Sequence, residues 1–283
     1  MTPVKQKLMW LTVAGLLTSK LHAADIATDA SAGSGAHDNS NGGYFEFGVG
    51  LNIRGTTDEL RLTRTLLLSG AYRYRGVFFE AFTPSIGASR HGVEVDGITI
   101  GINLWNDNRW SVDLLAADTR SRFRNVIPDN DDEDSAAIVR DSLYSGAGLR
   151  VTGYFGDTIF QFRLVDDTHG GNGIVSSATL GYSRQLRNWN LHSLLRADYI
   201  SRETGQYWYS VSADEATSGF PEFEMSSSAV TYSVEIGATY PINQNVVFRS
   251  TARYTQIPSE IRESPFTDSR FVFGWNTTLS YVF

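Results

Sequence analysis

The stretch FVFGWNTTLSYVF, residues 271–283, alternates without a break. Phe271, Phe273, Trp275, Thr277, Leu279, Tyr281 and Phe283 fall on one side of an extended chain, and Val272, Gly274, Asn276, Thr278, Ser280 and Val282 on the other. A period of two is that of a β-strand, whose successive side chains point to opposite faces. The same pattern opens the ordered part of the chain, where Phe45, Phe47, Val49, Leu51 and Ile53 face one way and Glu46, Gly48, Gly50, Asn52 and Arg54 the other. Between these two stretches, alternation predicts strands near 64–75, 77–88, 95–105, 110–120, 142–155, 158–166, 174–185, 189–201, 228–241 and 246–256. Twelve is an even number, as closure of an antiparallel barrel requires.

The connections sort by length. Links after the second, fourth, sixth, eighth and tenth strands are short: around Gly76, Asn106-Asp107-Asn108, Gly156-Asp157, Arg187-Asn188 and Asn243-Gln244-Asn245. Those after the first, fifth, seventh, ninth and eleventh are longer and polar, notably 121–141 and 202–227, while the link around Arg90-His91-Gly92 breaks the rule. Short turns at one end and long loops at the other distinguish an outer-membrane barrel from a soluble sandwich. Trp105, Trp110, Tyr154, Phe155, Trp189, Tyr199, Tyr240 and Tyr254 cluster at strand ends, as interfacial girdles do. The expectation is an all-β fold: a transmembrane antiparallel β-barrel of about twelve strands, with short periplasmic turns and longer extracellular loops, in the outer membrane of a Gram-negative cell.

Three segments are expected. Lys5 and Lys7, the apolar run Leu8–Leu17 and Leu21-His22-Ala23 follow the order of a secretory signal peptide over 1–23. Residues 24–42 are small, polar and rich in Gly and Ser, which suits a disordered periplasmic tail. Residues 43–283 form the barrel. All three lysines lie in the first segment, so the remainder carries 21 Arg against 31 acidic residues, a net charge near −10. Such a balance excludes nucleic acid as a partner, because phosphate binding needs a basic face. Without cysteine there is neither a disulfide nor a thiolate metal site.

With the less apolar face turned inward, the barrel has a charged interior. Glu46, Asp113, Asp198 and Glu235, with Glu80 on a strand of ambiguous facing, oppose Arg54, Arg73, Arg75, Arg150, Arg163, Arg196, Arg249 and Arg253, and His192 lies among them. Charge in a barrel of this width needs water or partners. The interior is therefore read either as a salt-bridged filling that stiffens the wall or as a narrow, slightly anion-favouring passage. An enzyme is not expected: His37, His91, His169 and His192 are scattered, no G-x-S-x-G elbow is present, and no two histidines have metal-ligand spacing. No cofactor or metal is implied. The run Asp129-Asn130-Asp131-Asp132-Glu133-Asp134 is dense in oxygen ligands but lacks the glycine turn and distant Glu of a calcium loop.

Two features go beyond composition. An aromatic closing an alternating strand, here Thr277, Leu279, Tyr281 and Phe283, resembles the signal read by the barrel assembly machinery. In the second half, Tyr207-Trp208-Tyr209-Ser210-Val211-Ser212, then Ser218-Gly219-Phe220-Pro221-Glu222-Phe223, Ile236-Gly237-Ala238-Thr239-Tyr240-Pro241-Ile242, Arg253-Tyr254-Thr255 and Ser264-Pro265 together resemble the MipA/OmpV family of outer-membrane barrels. Asn106 to Leu114 resembles the family's turn and strand in the first half, and Ser210 stands where the family usually has Gly. The resemblance implies a non-enzymatic scaffold that holds a murein lytic transglycosylase beside a murein synthase. It carries no active-site residue. Further partners expected are outer-membrane lipid, lipopolysaccharide and the assembly machinery. The alternatives are a narrow channel for small solutes and a surface adhesin acting through 121–141 and 202–227.

Overall fold

Each alternating stretch becomes a strand in the computed structural model, which describes residues 41–57, 59–82, 98–118, 145–167, 173–217, 220–267 and 269–283. The strands are β1 (Gly42–Gly55), β2 (Leu60–Tyr74), β3 (Val77–Phe82), β4 (Ile98–Asn106), β5 (Trp110–Asp118), β6 (Ser145–Phe155), β7 (Thr158–Asp167), β8 (Ile174–Leu186), β9 (Trp189–Ile200), β10 (Ala229–Pro241), β11 (Val246–Gln256) and β12 (Phe271–Val282). Every neighbour pair is antiparallel, and β1 pairs with β12 from Glu46↔Val282 to Gly55↔Phe273, so the sheet closes on itself. Closure leaves no unpaired strand edge, which is the condition for a sheet in lipid.

The two faces are inverted relative to a water-soluble protein. Phe47, Val49, Leu51, Leu66, Ile100, Leu114, Leu180, Leu195, Ile236, Trp275 and Leu279 point outward and are exposed, whereas Glu46, Asp113, Arg150, Arg163, Glu235 and Arg249 are buried inside. A continuous apolar belt of this extent is a lipid-facing surface. Among the described residues, no helix is long and apolar enough to cross a membrane. The protein crosses with its strands.

Turn chemistry fixes the short end. Arg75 and Gly76 have φ of 50° and 84° and join β2 to β3, the left-handed pair that a two-residue hairpin demands. Asp107 Oδ1 accepts from the N–H groups of Arg109 and Trp110, at 2.7 and 2.8 Å, and Asn243 Oδ1 accepts from those of Asn245 and Val246, both at 2.9 Å. Both are side-chain-closed turns of the Asx type. Near this end, a bulge in β4 at Asn103/Trp105 lets Leu104 and Trp105 both meet lipid. The Asn103 amide crosses the irregularity, donating to Trp105 O, Ser111 Oγ and Asp113 Oδ1.

Several boundaries differ from those expected. β2 begins at Leu60, so the link after β1 is only Thr56–Glu59 and not a long loop. Arg61 and Arg64 interrupt the apolar pattern there, yet Leu60 and Leu62 keep the outward face going and pair with Gly55 and Ile53. β1 starts at Gly42, inside the expected tail. The signal peptide, the rest of that tail, the strand ends at 83–88, 95–97, 119–120 and 142–144, and the acidic run 129–134 lie outside the described residues, as do His37, His91 and His169. Two helices were not expected: α1 (Arg202–Tyr209) after β9 and α2 (Ser259–Arg262) after β11.

Candidate functional site

Register brings the charged inner-wall residues into four groups. In the first, Arg150 on β6 donates through Nε to Asp113 Oδ2 on β5 at 2.9 Å, and through Nη1 and Nη2 to both oxygens of Glu80 on β3 at 2.9 and 3.2 Å. The Phe78 ring lies beneath the Arg150 guanidinium, 4.8 Å from its carbon, and Arg73 approaches the same ring at 5.5 Å. Gly101 makes this possible, since a Cβ there would meet Phe78 Cζ at 2.2 Å. Arg163 sits directly opposite Arg150 on β7 and is also buried.

In the second group, Glu46 is completely buried at the β1–β12 seam. It accepts from Arg249 Nη1 at 3.0 Å, from Ser69 Oγ at 3.2 Å and from Ser280 Oγ. The third joins three strands: Arg253 on β11 donates to Glu235 Oε2 on β10 at 2.8 Å, and His192 Nε2 on β9 lies 3.5 Å from Glu235 Oε1. In the fourth, Arg196 pairs with Asp198 two residues along the same strand. A buried charge left alone costs several kcal/mol, so these pairings are what allow the wall to be charged.

Of the expected inner-wall residues, Glu46, Asp113, Arg150, Arg163, His192, Arg196, Glu235 and Arg249 are buried on the inner face; Arg54, Arg73, Asp198 and Arg253 are half-buried on that face. Arg75 is a correction. It sits in the β2–β3 turn, exposed, with its N–H donating to Asn41 Oδ1 and its guanidinium 5.3 Å from the Tyr74 ring centre. Tyr154 is a second: it shares the inward face of β6 with Arg150 and so is no part of a girdle. Trp110 and Phe155 do face outward, edge to face at 5.4 Å, with the indole lying over Gly153. Thr277, Leu279, Tyr281 and Phe283 all face outward; the Phe283 N–H donates to Phe45 O at 2.9 Å, and its ring lies 4.8 Å from that of Tyr281.

Above the wall, the loops after β9 and β11 fold together as a cap. Trp208, Tyr209, Met225, Ile257 and Ile261 form one apolar cluster with Val175, Ile200 and Ala229 from the strands below. Val211, Phe220 and Phe266 form another, with Phe220 and Phe266 rings 5.5 Å apart. Ser264 Oγ donates to Tyr209 O at 2.6 Å and ties the two loops. Burial, with a smaller contribution from Asp198, raises the Tyr209 hydroxyl above its ordinary range. Sequence reading misses this cap because its apolar residues follow neither strand nor helix period.

A profile for the family described as "MltA-interacting protein MipA" matches residues 47–283. The chain belongs to that family. It is also 28% identical over 157 residues to the outer membrane protein YiaT of Escherichia coli K12, a stretch covering 54% of this chain and 63% of YiaT, and the O157:H7 counterpart matches equally. The match thus spans somewhat less than two thirds of these relatives. Similar solved structures include the CymD monoaromatic hydrocarbon channel, at 14% identity, 93% of each chain and a TM-score of 0.39. A Pseudomonas aeruginosa FadL homologue overlaps at 10% identity, 95% of this chain and 96% of that one, with a TM-score of 0.39. Vibrio cholerae OmpT overlaps at 7%, 85% and 98%, with a TM-score of 0.37. These are loose overlaps of barrel on barrel. The MipA-family chain is an outer-membrane β-barrel.

Proposed function

We propose that this MipA-family barrel is a non-enzymatic scaffold of the outer membrane that holds peptidoglycan-remodelling enzymes at its periplasmic side. One observation carries the reading: many charged side chains of the inner wall are buried and paired with one another. Hydrogen-bonded ion pairs join inner-face side chains of β1, β3, β5, β6, β9, β10 and β11, and a packed cap covers the outer ends of β8 to β10. A barrel whose inner charges are spent on one another is suited to work through its surfaces, and the family's description names an interaction with MltA. The short turns around Arg75, Asp107, Asp157, Arg187 and Gln244 are the periplasmic surface on offer. Pull-down from detergent-solubilised membranes should recover a lytic transglycosylase; a barrel that elutes alone after mild crosslinking would count against the scaffold.

A second reading, a narrow conduit for small anionic solutes, is favoured by the excess of inward arginine. Arg54, Arg73, Arg150, Arg163, Arg196, Arg249 and Arg253 face five inward acids. Planar-bilayer recording separates the two. Silence supports the scaffold, and anion-selective steps that vanish in Arg253→Ala support the conduit. The outward β12 residues Thr277, Leu279, Tyr281 and Phe283 are the proposed contact for the assembly machinery, and folded yield of Phe283→Ala in cells is its test.

A further inference from the structure

In the periplasmic half of the interior, one patch of wall has polar atoms that the protein itself does not satisfy. Asn190, Thr239 and Arg249 are cross-strand neighbours on β9, β10 and β11, and the next row holds His192, Gly237, Thr251 and Asn276. Asn190 and Thr239 are 0% exposed, Asn276 3%, Arg249 4% and His192 6%. Arg249 spends only Nη1 on Glu46; its Nε and Nη2 have no hydrogen-bond partner. The same holds for Asn276 Nδ2, Thr239 Oγ1, Asn190 Oδ1 and His192 Nδ1. Gly237 supplies the room: the imidazole lies over it, with Cε1 2.3 Å from where a Cβ would stand.

Each buried polar atom left unsatisfied costs about 1–3 kcal/mol, so a cluster of them calls for water or a bound polar ligand to supply the missing partners. Its chemistry follows from the donors. The Nε–Nη2 edge of a guanidinium presents two parallel N–H groups that match two oxygens of a carboxylate or phosphate. The Asn276 amide and the Thr239 hydroxyl, on strands flanking Arg249, add donors beside that edge, and Asn190 Oδ1, across from Thr239, adds an acceptor. Seven inward arginines against five inward acids leave the wall with positive charge to spare. We propose that this patch is a binding site for a small oxyanion, a phosphate or a carboxylate, gripped by the Nε–Nη2 edge of Arg249. The site stands whether or not the barrel conducts or docks an enzyme.

The test uses the full chain folded in detergent, with thermal unfolding followed in inorganic phosphate, acetate or chloride at equal ionic strength. Phosphate or acetate should raise the midpoint saturably, by at least about 2 °C, where chloride does not. Response to phosphate alone assigns the phosphate class, and response to acetate alone the carboxylate class. Asn276→Leu and Thr239→Val each remove a donor without stranding a charge, and each should weaken the apparent affinity about tenfold. The paired change Glu46→Gln with Arg249→Gln should abolish the response, whereas Arg61→Gln at the far end should leave it intact. Equal shifts in all three salts, or shifts that survive both donor variants, would overturn the proposal. So would crystals grown in phosphate that show only water against Arg249 Nε and Nη2.

Discussion

Glu46 and Arg249 lie 203 positions apart in the chain, yet the fold places them 3.0 Å apart inside the wall. Parity alone puts each on the inner face, and that much is legible from Glu46 alternating with Phe45 and Phe47. Their pairing is not legible, because it depends on how β1 closes against β12. Removing one partner leaves the other buried and charged, so Glu46→Ala should cost about 3–5 kcal/mol, read as a lower urea midpoint of the folded band on gels. Glu46→Gln with Arg249→Gln should recover much of that loss. Gly237 is a second sensitive position. A Cβ there meets His192 Nε2 at 2.4 Å and Thr251 Cγ2 at 2.8 Å, so Gly237→Ala should lower stability by about 1–3 kcal/mol through displacement of the ring, in the same urea assay. Arg75 escapes sequence reading for a local reason: in a strand it would face inward with Arg73, but the chain turns there, at a φ of 50° that favours Gly or Asn over Arg.

At the scale of elements, strands are readable and the cap is not. Alternation survives translation into structure because a lipid-facing and an inner face impose it at every second residue. α1 has no such signature. Its sequence RETGQYWY holds a glycine and three consecutive bulky aromatics, and a helix of eight residues has little stability of its own. Tertiary packing and one capping serine hold it. Ser201 Oγ accepts from Thr204 N at 3.4 Å and from Ile174 N at 3.0 Å, so it closes the helix and pins it to the start of β8. Ser201→Ala should therefore cost about 1 kcal/mol, with exchange of the α1 amides speeding up while the strands stay protected. Gly173, at φ +95°, packs against the same serine so closely that a Cβ added there would stand 2.1 Å from Ser201 Oγ, and Gly173→Ala should loosen the cap further. Glu203, in the first turn, is held below the usual carboxylate range by a backbone hydrogen bond and by Ser201. A depressed value means that its contribution is complete above the unfolded pKa of about 4.3 and fades as pH falls through the folded one. The indole resonance of Trp208, in the last turn of α1, should thus broaden as pH falls through that depressed value, and Glu203→Gln should remove that dependence.

For the molecule as a whole, orientation in lipid makes the sharpest demand. Ile236 stands on the outward face of β10, 60% exposed, one residue from the fully enclosed Glu235. In a soluble barrel an exposed Ile→Arg change would alter stability by less than about 0.5 kcal/mol. In a membrane, an arginine on the lipid face near the midplane costs about 2–4 kcal/mol, and the penalty shrinks toward either interface. Ile236→Arg should accordingly destabilise the barrel in phospholipid vesicles by that larger amount. Leu60→Arg, at the outer end of β2 and 72% exposed, should change it by no more than about 1 kcal/mol. Urea titration of the two variants in vesicles measures both. Equal, small effects at the two positions would mean that the outward belt does not sit in hydrocarbon, and the inverted arrangement of greasy wall and charged filling would then have no physical reason to exist.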